Sequence, residues 1–135
     1  MKKKQMIFKS EEMMNLRDCY MNFDGNYEDA LGRLGCEKTV EKFLYKFLED
    51  KSFNLLEVSM RNENYDEALR ATHTLKGICQ NLSFTQLYES SSLMTGALRG
   101  RTWEKAIEIM PQLTNDYCQI ISVIEKYKRF KAEQY

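Results

Sequence analysis

The stretch Ala71-Thr72-His73-Thr74-Leu75-Lys76-Gly77 lies in a run, from about Asn64 to Leu82, whose apolar residues recur with the period of a helix. At roughly 100° per residue, Ala68, Ala71, Thr72, Leu75, Ile78, Cys79 and Leu82 fall on one side and form the apolar stripe. His73 is the chain's single histidine and lies roughly 160° from Leu75 on the same wheel. It is predicted to point into solvent, which demotes the reading of a hydrogen-bonded core histidine.

A glycine inside a helix costs about 1 kcal/mol relative to alanine and usually answers a packing or access need. Gly77 follows His73 by one turn on the same face, so its missing side chain opens space beside the imidazole. An exposed histidine of no consequence, the commoner case on composition alone, leaves that glycine unexplained. Lys76, three residues after His73, lies on the flank of the face. A lone lysine is ordinarily a solvated charge, but here its ammonium can swing toward an anion carried on the ring.

Working outward, the helical period continues on both sides. From Glu37 to about Leu48, the residues Val40, Phe43, Leu44, Phe47 and Leu48 make one stripe, and Phe53, Leu55, Leu56, Val58, Ser59 and Met60 continue it after the charged Glu49-Asp50-Lys51. A bend or frayed junction is expected near Asp50. Arg61-Asn62-Glu63-Asn64 reads as a connector, so the His-bearing helix is expected to run back against the one before it.

Upstream, Ser10-Glu11-Glu12 has the acidic residues that a helix start favours, and Met13, Met14, Leu16, Arg17, Tyr20 and Met21 carry that helix to about Asn22. Asp24-Gly25-Asn26 signals a turn. Tyr27 to Leu34 reads as a short amphipathic helix ended by Gly35.

Downstream, Ser83 is expected to cap a helix carrying Leu87, Ser90, Ser91, Met94, Ala97 and Leu98, which Gly100 stops. Thr102 caps a short helix through Met110, and Pro111 suits the first turn of a new one bearing Leu113, Tyr117, Ile120, Ile121, Ile124 and Tyr127. Together these segments predict an all-α fold, an antiparallel up-down four-helix bundle with additional short N-terminal helices. The expected domain spans 10–130, between tails at 1–9 and 131–135.

The 135 residues carry 20 lysines and arginines against 20 aspartates and glutamates. With no net charge there is no global field to draw in nucleic acid or an anionic membrane. Met1-Lys2-Lys3-Lys4 has the charge of a leader's first region, but polar residues interrupt any apolar run almost at once. No stretch reaches the length of a membrane span, and the expected location is cytoplasmic. Cys19, Cys36, Cys79 and Cys118 are scattered without metal-ligand spacing. They read as reduced, mostly structural thiols, and neither a metal nor a cofactor is expected.

The string His73-Thr74-Leu75-Lys76-Gly77, preceded by Ala68-Leu69-Arg70-Ala71-Thr72 and followed by Asn81-Leu82, resembles the histidine-containing phosphotransfer domain of bacterial multistep phosphorelays. Tyr27-Glu28-Asp29-Ala30-Leu31-Gly32-Arg33-Leu34-Gly35 and Phe43-Leu44-Tyr45-Lys46-Phe47 are similar to the opening of such domains, so the resemblance runs from roughly Met14 to Arg129. It departs from the pattern after the glycine, where Ile78, Cys79, Gln80 and Ser83 stand in place of small residues and a later glycine.

The resemblance implies transfer of a phosphoryl group between receiver-domain aspartates and His73. His73 is then the phosphorylated nucleophile, Lys76 holds the phosphoryl oxygens and Gly77 gives steric access. Leu69, Arg70 and Gln80 are the candidate contacts to the partner; the alternative for Leu69 is packing under the edge of a neighbouring helix, and Gln80 either donates to the phosphoryl group or narrows the approach. The implied partners are receiver domains of response regulators and of a hybrid sensor histidine kinase, and a metal needed in transfer would come with the receiver. A monomer is the expected state.

No glycine-rich nucleotide motif supports autophosphorylation by ATP, so the expectation is a phosphocarrier without kinase activity of its own. Two other classes compete with it. One is an adaptor or inhibitor with the same bundle that binds receivers without carrying phosphate, suggested by the bulkier Ile78 and Gln80. The other is a small enzyme using His73 as general acid or base, for which no serine, cysteine or paired-carboxylate constellation stands near His73 in sequence.

Overall fold

The computed structural model describes residues 14–134, and all regular structure among them is helical. Seven helices follow in order: α1 (Leu16–Asn22), α2 (Tyr27–Leu34), α3 (Glu37–Glu49), α4 (Ser52–Arg61), α5 (Tyr65–Leu82), α6 (Thr85–Arg99) and α7 (Trp103–Ala132). No helix among the described residues is long and apolar enough to cross a membrane. The expected tail at 1–9 and the helix start at Ser10 lie outside the described residues.

Three asparagines start helices. Asn15 and Asp18 form a reciprocal capping box on α1, Asn26 accepts from the Asp29 N–H on α2, and Asn64 accepts from the Glu67 N–H on α5. Each side-chain oxygen satisfies a first-turn N–H that has no partner within its helix. Met14 therefore lies outside the helix, although the periodicity extended α1 through it. Between α3 and α4 the chain leaves helical geometry at Asp50, where ψ is 140°, in the place where a junction was expected.

Ser83 does not cap α6. It terminates α5 in the left-handed conformation, with φ 56° and ψ 42°, and Phe84 precedes α6 without a side-chain cap bond. Nor does the chain restart at Pro111, because α7 is one helix of 30 residues with Pro111 inside it. Proline there supplies no N–H to the carbonyl of Ile107. Ile107 is 52% exposed, so this turn faces water, which can take the place of the missing donor.

Helix α5 packs along α4, α6 along α5 and α7 along α6, while α3 lies against α7 and touches α5. The core they enclose includes Leu44, Leu56, Leu75, Cys79, Leu87, Met94, Leu113 and Ile124, all sealed from solvent. At one end Tyr20, Phe23, Phe47 and Phe84 gather, with Phe84 edge-on to Phe23 and Phe47 at 5.2 and 5.1 Å between ring centres. Beside them Phe53 stacks on Tyr117 at 4.0 Å. Such ring pairs add to what area burial alone contributes.

The α1–α2 turn is fastened to the C-terminal end of α5. The Tyr20 hydroxyl donates to the Leu82 carbonyl at 2.8 Å and the Asn26 N–H donates to the Ser83 carbonyl at 3.0 Å. Ser83 Oγ donates to Asp29 at 2.5 Å. Gly25 is required in this turn, since a Cβ there would stand 2.8 Å from the Tyr20 ring and 2.9 Å from the Ser83 carbonyl oxygen. Removing the buried Tyr20 hydroxyl strands the Leu82 carbonyl. Tyr20→Phe is accordingly expected to cost about 1–3 kcal/mol, seen as a lower urea midpoint with unchanged slope.

All four cysteines are free thiols. Burial pushes Cys19 up to about 12 and raises Cys79 as well, whereas the Thr39 hydroxyl, 3.4 Å from exposed Cys36, lowers that thiol. Because the thiolate is the reactive form, brief iodoacetamide treatment of the native chain should alkylate Cys36 and Cys118, the two exposed cysteines. Peptide mapping should find Cys19 and Cys79 modified only after denaturation.

Candidate functional site

Helix α5 carries His73 at its middle. Ala68, Ala71, Thr72, Leu75, Cys79 and Leu82 are its buried residues, which is the predicted apolar stripe apart from Ile78, half-buried at its edge. The Thr72 hydroxyl is satisfied within the helix by the Ala68 carbonyl at 2.8 Å. The stripe sets the helix's rotation, and His73, Thr74, Gly77 and Gln80 are exposed as a result.

The two ends of α5 are held by different parts of the chain. Beyond the fastening at Leu82 and Ser83, its N-terminal turn meets the α6–α7 turn. There Arg101 pairs with Asp66 at 3.3 Å and lies over the Tyr65 ring at 4.8 Å, while Tyr65 packs on Trp103 at 4.7 Å. The ion pair is well exposed, at 63% and 74%, and the cation over the ring face adds modestly to it.

His73 makes no hydrogen bond or ion pair among the described residues, and Lys76, half-buried along its stem, makes none either. The lysine ammonium is therefore an uncommitted donor one turn from an uncommitted imidazole. On a helix, side chains lean toward the N-terminus, so that of Lys76 leans back over the turn that bears His73. A side chain at position 77 would lean the same way.

A Cβ built on Gly77 meets nothing within 4 Å. No contact among the described residues excludes a Cβ there, and the glycine leaves open a space beside the helix. Gly32 and Gly96 are equally unconfined, but neither stands beside a histidine.

The other predicted contacts are placed unevenly. Leu69 is half-buried and packs against the core, leaving only part of its side chain to solvent. Arg70 is exposed and paired with Glu67 at 3.0 Å. Gln80, exposed, borders a cavity of about 210 Å³ shared with Asn26, Asp29, Arg33, Ser83 and Tyr88. Hydrogen bonds from Ser83 and Arg33 hold the Asp29 carboxyl below the usual carboxylate range.

On the opposite flank, Arg70 and Thr74 border a depression of about 450 Å³ that runs to the α3–α4 junction and Leu55. Among the described residues no cluster of histidine, cysteine, aspartate or glutamate could hold a metal ion.

Two acidic residues at the start of α5, Glu67 and Asp66, also belong to the site's surroundings. The Glu67–Arg70 pair has the three-residue spacing of a helical ion pair and was legible. Asp66–Arg101 joins residues 35 apart and left no local signal. The cavity at Gln80 was equally hidden, because it is assembled from α2, α5 and α6.

Since the space at Gly77 is open, Gly77→Ala is expected to raise stability by about 0.5–1 kcal/mol through helix propensity and the unfolded chain's lost freedom. A urea titration checks this, and a drop in midpoint would mean that the position is confined. Compared with known proteins, the chain matches no family model, no curated protein and no solved structure.

Proposed function

We propose that the chain is a phosphocarrier that accepts a phosphoryl group from a receiver-domain aspartate onto His73 and passes it to another receiver aspartate. The observation that carries this reading is an exposed imidazole, without a partner among the described residues, beside a helical glycine at which an added Cβ would meet none of them. A carrier must meet its donor and acceptor at close range. Gly77 leaves room for that approach, and the uncommitted Lys76 ammonium is available to the phosphoryl oxygens.

In the forward step an imidazole nitrogen bonds to phosphorus as the acyl phosphate's phosphorus–oxygen bond breaks, and the electron pair leaves on the aspartate carboxylate. The reverse attack by a second aspartate regenerates the imidazole. Lys76 offsets the charge of the transferred group. The partners read with this mechanism are receiver domains of response regulators and of a hybrid sensor histidine kinase, and the chain has no ATP-dependent kinase activity of its own.

The architecture we read with this function is an antiparallel up-down four-helix bundle. The α3–α4 pair, α5, α6 and α7 are its struts, and α1 and α2 are additional short helices. Successive packing of α4 on α5, α5 on α6 and α6 on α7 supports it.

Incubation with a panel of phosphorylated receiver domains should add one acid-labile phosphate to the native chain and none to His73→Gln, read by intact mass. Gly77→Leu should slow transfer from a receiver by about tenfold or more, as misplaced reacting groups do, yet leave phosphorylation by a small donor such as phosphoramidate nearly intact. A native chain that binds a receiver tightly but gains no phosphate would be an adaptor instead.

A further inference from the structure

Resting on the phosphocarrier reading, we propose that Arg70 is a second cation for the phosphoryl group on His73, and that its pair with Glu67 is the resting position from which phosphorylation draws it. Arg70 precedes His73 by three residues on α5, a spacing that puts the two Cβ atoms about 5–6 Å apart on neighbouring turns. Because helical side chains lean toward the N-terminus, the imidazole extends over the turn that bears Leu69 and Arg70. The phosphoryl group on its outer nitrogen is then carried toward the guanidinium.

In the unphosphorylated chain Arg70 leans away, with Nη1 3.0 Å from Glu67 Oε2. Both side chains are open to water, at 66% for Arg70 and 42% for Glu67, and an exposed pair of this kind is held weakly. A phosphoryl group presents more negative charge than a carboxylate and three oxygens that a guanidinium fork can bridge. Guanidinium transfer from Glu67 to the phosphoryl group is therefore downhill.

The neighbouring groups do not compete for this role. Thr74 Oγ1 donates to the Arg70 carbonyl at 3.1 Å, and Arg101 stands with Asp66 and the Tyr65 ring at the first turn of α5, seven residues before His73. Lys76 approaches from the other flank, so the two cations bracket the group. Glu67 keeps its backbone N–H on the Asn64 cap, so releasing Arg70 need not disturb the start of α5. It leaves a bare carboxylate on the face that a receiver would meet, a difference between the loaded and empty carrier.

The test uses phosphoramidate on the full chain at fixed ammonium concentration, without any receiver. An imidazole nitrogen bonds to phosphorus as the phosphorus–nitrogen bond of phosphoramidate breaks. The electron pair stays on the leaving nitrogen, which departs as ammonia with the proton the imidazole gives up. Intact mass reads the equilibrium ratio of phosphorylated to free chain.

Arg70→Gln is expected to lower that ratio roughly three- to tenfold, the scale of one exposed charge-assisted contact. Glu67→Gln is expected to raise it roughly twofold by freeing Arg70. Both positions are surface sites, and unchanged thermal melting confirms the fold of each variant.

A role for Arg70 confined to partner docking or helix stability would leave the receiver-free ratio unmoved. A native chain that is phosphorylated while Arg70→Gln matches it, or a Glu67→Gln shift in the same direction as Arg70→Gln, overturns the proposal and leaves the carrier reading standing. If the native chain takes up no phosphoryl group, the carrier reading falls and this proposal falls with it.

Discussion

The last carbonyls of a helix have no donors within it, and at the end of α5 those of Cys79 and Gln80 are answered locally by the Ser83 and Phe84 N–H groups, whereas that of Leu82 is answered from a segment far away in sequence. Tyr20 and Asn26, from the α1–α2 segment, supply the donors to Leu82 and Ser83. The arrangement needs Gly25 at the point of closest approach and Ser83 in a left-handed conformation. The aromatic group of Tyr20, Phe23, Phe47 and Phe84 then seals the same end against water. Low local water content strengthens these bonds and makes their loss costly.

This anchoring bears directly on the candidate site. A helix that shows His73, Gly77 and Gln80 to solvent can bury only its other face, and the apolar stripe from Ala68 to Leu82 supplies that burial. The remaining hold comes from the two ends, through Asp66 and Tyr65 on one side and Leu82 and Ser83 on the other. On the exposed face, the interactions among the described residues are the local Arg70–Glu67 pair and the bond from Thr74 to the Arg70 carbonyl. His73 and Lys76 lack partners among the described residues because the fold secures α5 elsewhere.

Much of this was legible in the residues. The period of α5, the solvent-facing position of His73, the short helix from Tyr27 to Leu34 and the junction at Asp50 all follow from local patterns that a helix wheel or a turn dipeptide expresses. What was not legible depended on distance in sequence. Ser83 looks like a helix start because serine often caps one, yet its backbone ends α5 and its hydroxyl meets Asp29, 54 residues away.

Pro111 looks like a boundary, but α7 runs through it, and Ile107, whose carbonyl loses its helical donor there, is exposed. Asp116, buried on α7 and bonded by Gln112, gave no sign of its burial, because an acidic residue on a long helix ordinarily faces water. At the site, spacing alone points to Gly77 and Lys76, whereas the partial burial of Leu69 depends on how neighbouring helices crowd the face.

Fastening both ends of α5 also constrains its azimuth. On a helix, axial travel and rotation are coupled, so a slip of one residue advances the chain by about 1.5 Å and turns it by about 100°. Such a slip would swing His73 from the open face toward a flank already occupied by a neighbouring helix. The ties at Asp66 and at Leu82 lie on opposite sides of His73 along the axis and resist that screw motion together. The bundle therefore sets the compass bearing of the imidazole as well as its height, which is what a partner arriving as a rigid body must find.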